Sequence, residues 1–245
     1  MVVAVGKLVA RFALAGLLAG AAAAQAPLRL HYHERPPYAQ TQADGAVTGL
    51  VATPAARALA RAEIPYVWVR TPTQRQLLLI QDGSGPDCGI GWFRSSAREA
   101  LGRFSRELYR DQPWAALTRA DSPWRDGLGL QAALTDPAAP LLVKEGYSYG
   151  AALDAMIAAL RPPPRGTSAE NVQMVRMIDA GRAAWMLVAP EEAQVLIEQS
   201  ETAVQRLRLV RFADAPPGMS RHLYCNKSVP AALIERLDRA LAAPR

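Results

Sequence analysis

Lysine is nearly missing from this 245-residue chain: Lys7, Lys144 and Lys227 are the only three, and arginine supplies the rest of the basic charge. The arginines are scattered, with no basic run and no basic stripe interleaved with aromatics. That excludes the concentrated positive face of a nucleic-acid reader. Histidine is as scarce, with His31, His33 and His222 alone. An H-x-H pair on a strand turns both rings to one face, but two ligands are too few for a structural metal site. No metal and no cofactor is expected. Two cysteines, Cys88 and Cys225, are too few for a disulfide-dense scaffold. Beyond residue 24 no apolar run approaches the ~20 residues that cross a bilayer, so the mature chain is expected outside the membrane. Internal repeats are absent too.

What is present begins with an export signal. Lys7 and Arg11 precede an apolar stretch from Phe12, and Ala22-Ala23-Ala24 satisfies the small-x-small rule for signal peptidase. Residues 1–24 therefore read as a cleavable signal peptide, with Gln25 as the first mature residue and the periplasm as destination. Cleavage removes two of the six net positive charges and leaves 221 residues, enough for one large or two small domains. In an oxidising compartment the cysteine pair suggests one disulfide; two buried thiols are the alternative.

Along the mature chain, Leu28, Leu30 and Tyr32 alternate with polar residues in a strand pattern that Pro36-Pro37-Tyr38 ends. Thr53-Pro54 reads as an N-cap and first helical position, with a helix to about Ala62. Strands are expected at 66–69, 88–91, 141–143, 185–188, 207–209 and 222–225. Short helices are expected at 75–81, after Ser96 as cap, and at 191–198. Leu153, Met156, Ile157 and Leu160 fall on one helix face. Thr167 and Glu170 make a capping box for a helix closed by Gly181, and Pro230 opens the last helix. Residues 118–139 read as irregular. Strands alternating with helices give an α/β fold with mostly parallel sheets. Ligands in such folds bind where strands lead into helix N-termini, here 91–97, 144–150 and 188–192.

Several segments carry a resemblance. They are Pro36-Pro37-Tyr38, the glycine turn Gly45 to Leu50, and Gly91-Trp92-Phe93-Arg94-Ser95-Ser96-Ala97-Arg98 with Phe104-Ser105 and Tyr109 behind it. Val143 to Gly146 and Gly181-Arg182-Ala183 follow in order. The pattern is similar to the family 3 extracellular solute-binding proteins of bacterial ABC importers, over nearly the whole mature chain. The resemblance implies a type II periplasmic-binding-protein-like fold of two lobes, each a mostly parallel sheet flanked by helices, joined by a two-strand hinge. Lobe one would be residues 25–112 plus 217–245 and lobe two 118–212, with hinge segments about 113–117 and 213–222. Both cysteines then fall in lobe one, which makes a Cys88–Cys225 bond plausible.

It also implies a monomer that captures a small-molecule ligand, an amino acid or other small carboxylate, for an inner-membrane ABC permease. Arg98 matches the family's carboxylate-binding position, and a planar, permanently charged fork suits that task. Tyr38, Trp92 and Phe93 are candidates to line the cleft, with core packing as the alternative. Ser95, Tyr147 and Ser148 sit at turns whose backbone N–H groups suit an anion. Ala189 stands where the family has an acid for the ligand's amino group. Glu191 is the candidate replacement, and a helix-start glutamate favoured by the dipole is the other reading.

Alternatives to transport remain. Gly146-Tyr147-Ser148-Tyr149-Gly150 matches the G-x-S-x-G elbow of a serine esterase, with Asp179 or Asp214 and His222 downstream. The solute-binding scaffold itself can also serve a lyase or a sensor.

Overall fold

The computed structural model describes residues 26–201 and 204–243. The signal peptide expected at 1–24 lies outside the described residues.

The chain opens with β1 (Leu28–Tyr32), a small hairpin of β2 (Gln40–Thr41) and β3 (Val47–Thr48), then α1 (Ala52–Arg61), β4 (Tyr66–Arg70), α2 (Thr73–Asp82), β5 (Asp87–Phe93), α3 (Ser96–Leu101) and β6 (Gly102–Arg110). It continues through β7 (Ala115–Arg119), α4 (Leu130–Leu134), β8 (Leu141–Lys144), α5 (Ala151–Ala158), β9 (Arg165–Thr167), α6 (Asn171–Asp179), β10 (Trp185–Val188), α7 (Pro190–Gln199) and β11 (Leu207–Arg211). It closes with β12 (Ser220–Asn226) and α8 (Ala231–Ala242).

Two five-stranded sheets result, ordered β4-β1-β5-β12-β6 and β11-β7-β10-β8-β9. Each is parallel except for one strand. In the first sheet β12 runs against both its neighbours, and in the second β7 does. Those are the strands the chain makes directly after crossing from one sheet to the other. The architecture is the expected two-lobed α/β one. The chain leaves the first sheet after Arg110 and enters the second at Ala115; it leaves the second after Arg211 and returns at Ser220.

Burial explains the strand sequences. β10 reads Trp-Met-Leu-Val without alternation because helices cover both its faces. Trp185 and Leu187 join a core with Trp124, Leu130 and Leu153, whereas Met186 and Val188 join one with Met174, Val175 and Ile178 on the other side. In the first lobe Leu28, Leu30, Leu59 and Leu237 share a core under α1 and α8. Cys88 and Cys225 face each other across the antiparallel pair β5–β12 and are disulfide-bonded.

Several local expectations change. α1 starts at Ala52, with Thr53 inside it; the Thr53 hydroxyl accepts from Gly49 N–H, 3.1 Å, and so braces the preceding turn. Ser95, one residue earlier than expected, caps α3 by accepting from Arg98 N–H, 3.4 Å. The capping box does not form: Thr167 ends β9 and accepts from Ala169 N–H, 3.2 Å, while Glu170 occupies the N-cap position of α6. Gly181 does close that helix, at φ 68°. The stretch taken as irregular holds β7's end and α4, whose Leu130, Ala133 and Leu134 are buried. His31 is buried, and its ring bonds Thr71 Oγ1, 2.8 Å, and Asp87 Oδ1, 2.7 Å, inside the lobe.

Candidate functional site

Four segments meet where the lobes face each other. They are the loop after β1, the β5–α3 junction, the first residues of β12, and the turn before α5 in the second lobe. They bring three arginines to one cavity of about 200 Å³. The arginines differ in their partners. Arg221, on β12, is 3% exposed and gives Nε and Nη2 to the two oxygens of Asp111, 2.6 and 2.7 Å. Its guanidinium lies 3.9 Å from the centre of the Tyr38 ring and 4.6 Å from that of Phe93. Arg35 reaches across to α7 and gives Nε and Nη2 to the two oxygens of Glu192, 2.8 and 2.9 Å. It also lies over Tyr38 and over Tyr147 of the second lobe.

Arg98 has no carboxylate partner among the described residues. Its Nη1 donates to the Phe93 carbonyl, 2.8 Å, and its guanidinium lies 4.9 Å over the Trp92 ring. Burial lowers its pKa from the usual arginine value, since no carboxylate offsets the loss of water. Arg35 moves the other way. Burial opposes its charge, but Tyr147 and Glu192 more than reverse that and raise its pKa. Burial pushes Glu192 up, but Arg35, Arg221 and a hydrogen bond from Asn171 together hold it below its ordinary range.

Tyr38, Trp92, Phe93, Arg98, Tyr147 and Ser148 all line this cavity. No Asp or Glu is among its lining residues. Trp92 also belongs to the core, with its Nε1 donating to Gln76, 3.2 Å. Tyr38 is buried, and its hydroxyl has no hydrogen-bond partner among the described residues. A second, larger cavity of about 520 Å³ adjoins the first; it shares His33, Arg35 and Tyr147 and extends to Glu34, Lys144, Glu145, Glu170 and Glu192.

Ser95 and Glu191 stand outside both cavities. Ser95 is occupied as the cap of α3. Glu191 accepts from the Tyr109 hydroxyl and from Gln112 N–H, both 3.1 Å, and so ties α7 to the end of β6. At the start of α7 the acid that lines a cavity is Glu192, one residue on, and its carboxylate is already matched by Arg35. Arg35, Arg221, Asp111 and Glu192 were not singled out by the sequence. Their signal was the spacing of charge next to apolar strand ends, and it becomes specific only when the partners meet.

The Ser-Asp-His order does not assemble. Ser148 Oγ donates to Asp154, 2.6 Å, and accepts from Gly150 N–H, 3.2 Å. His222 lies in the other lobe, and its Nδ1 bonds the Ser105 carbonyl, 2.9 Å. Asp214 accepts from Leu130 N–H, and Asp179 pairs with Arg206.

No family model and no curated protein matches the sequence. Solved structures do share its fold. A histidine kinase sensor domain with similarity to periplasmic binding proteins superposes with a TM-score of 0.67 at 16% identity, over 88% of this chain and 89% of that one. The arginine-, lysine-, histidine-binding protein ArtJ of Geobacillus stearothermophilus gives 0.66 at 14% identity, over 88% of each chain. The second VFT domain of Bordetella pertussis BvgS, as a double mutant, gives 0.67 at 16%, over 89% of this chain and 88% of that one. The chain thus has the two-lobed fold of periplasmic solute-binding proteins.

Proposed function

We propose that this protein captures a small carboxylate between its two lobes, with Arg98 as the anchor. The observation that carries the reading is the unmatched charge. Of the three arginines at the cavity, two are neutralised by bidentate carboxylates and Arg98 is not. A half-buried guanidinium stacked on Trp92 is a fork held ready for an anion. Tyr38 and Phe93 cover one side of the cavity, and Tyr147 and Ser148 close it from the second lobe.

The lobes in this reading are residues 25–112 plus 217–245 and residues 118–212, with hinge segments about 113–117 and 213–222. The signal peptide takes the chain to the periplasm, where the monomer hands its ligand to an ABC permease. Fold neighbours that bind amino acids support capture as the task. A sensor role is the second reading. It is favoured by the histidine kinase sensor domain that shares the fold and by the Arg35–Glu192 pair, which joins the lobes directly. No helix among the described residues is long and apolar enough to cross a membrane.

A thermal-shift panel of amino acids, small carboxylates and polyamines tests the reading. A ligand present at 100 times its Kd stabilises the native state by about 2.7 kcal/mol. Carboxylates should raise the midpoint, and Arg98→Ala should abolish the shift while circular dichroism and the ligand-free midpoint stay near wild type. Unchanged affinity in a folded Arg98→Ala variant overturns the assignment.

A further inference from the structure

We infer that the ligand is a carboxylate with an apolar body and no ammonium group. This rests on the capture reading above and narrows it. Three guanidiniums border the cavity, and none of its lining residues is acidic. The acids paired with the cavity's arginines are Asp111 and Glu192. Both oxygens of each are already bonded to an arginine, Arg221 and Arg35 respectively. Glu34, Glu145 and Glu170 line only the adjoining cavity, where Glu170 pairs with Lys144. Position 189 is an alanine, buried at the start of α7. Glu191, which would be the remaining acid near that helix start, is turned to Tyr109 and Gln112.

An ammonium brought into this cavity would leave water without gaining a counter-charge, beside the cations that hold its own carboxylate. A buried charge without a partner is strongly unfavourable, and repulsion from the guanidiniums is amplified away from bulk water. To recruit Glu192 or Asp111 it would have to compete with a bidentate guanidinium. The histidine at the rim reports the same field. Burial, Arg35 and Arg221 lower the pKa of His33 to about 4, which leaves its imidazole neutral at ordinary pH. One side of the lining suits an apolar body, with Leu77, Ile90, Trp92 and Phe93 from the first lobe and Tyr147 opposite; Thr73, Gln74, Gln76 and Ser148 add neutral polar groups and no counter-charge.

Isothermal titration of the wild-type protein with matched pairs tests this. The pairs are 3-phenylpropionate against L-phenylalanine and 4-methylpentanoate against L-leucine, with succinate as a polar control. The carboxylate lacking the amino group should bind at least about ten-fold tighter than its amino acid, tighter also than succinate, and Arg98→Gln should remove that binding. An amino acid binding as tightly as its partner or more so, through Arg98, overturns this inference and leaves the capture reading standing. Succinate binding tightest overturns the apolar body. Absence of binding by every carboxylate, with or without an amino group, overturns both readings together.

Discussion

Arg35, Arg98 and Arg221 border one cavity, and of the three only Arg98, held by a carbonyl and an indole face, has no carboxylate partner among the described residues. Arg98 was singled out through the family resemblance, whose motif is local: the segment from Gly91 to Arg98, and the structure places it at the cavity. Arg221 was not. Its partner Asp111 lies 110 residues away, and only the return of β12 beside β6 brings them together. His33 carries the pH consequence of this crowding. Its folded pKa, about 4, lies below the ordinary 6.5. The unfolded chain therefore takes up a proton first as pH falls. The neutral His33 contributes stability fully above pH 6.5, and that contribution is lost progressively between 6.5 and about 4. Urea unfolding across that range should show a steeper loss in wild type than in His33→Gln, and parallel profiles would remove His33 as the cause.

Elements were read well where periodicity or glycine marked them. The strand at 185–188, the helix closed by Gly181 and the helix opened at Pro230 all formed. Residues 118–139 misled because α4 is short and its flanks are polar; its apolar residues gain a partner only from the Trp185 side of β10. The two crossing segments hold a constraint that composition does not show. Asp111 N–H donates to the Met219 carbonyl, 3.0 Å, and a Cβ on Gly218 would lie 1.6 Å from the Asp111 carbonyl oxygen. Backbone touches backbone there, so no side-chain rotation relieves the clash. Gly218→Ala should lower stability by about 1–3 kcal/mol, read as an earlier urea midpoint. An unchanged midpoint would mean the crossing segments adjust freely.

At the scale of the whole molecule, the lobes touch through charge as well as chain. Arg35 with Glu192, and Tyr109 and Gln112 with Glu191, all bridge from the first lobe to α7. Glu192 is 2% exposed, and removing one charge of a buried pair leaves the other uncompensated. Glu192→Gln should therefore loosen the ligand-free arrangement. Small-angle scattering should report a larger radius of gyration for the variant, and added ligand should bring it back towards wild type. Identical radii without ligand would show that the pair does not hold the lobes together. The two-lobe plan itself was readable from ordered motifs, but the contacts that set how the lobes meet were not, because each joins residues from distant parts of the chain.

The bond between Cys88 and Cys225 spans 137 positions, and every strand of the second sheet lies between its ends. The second lobe is therefore a closed covalent ring hung from the first. One protease cut in the ring opens it without releasing anything: the nicked protein should migrate as one molecule on a non-reducing gel and as two fragments once reductant is added.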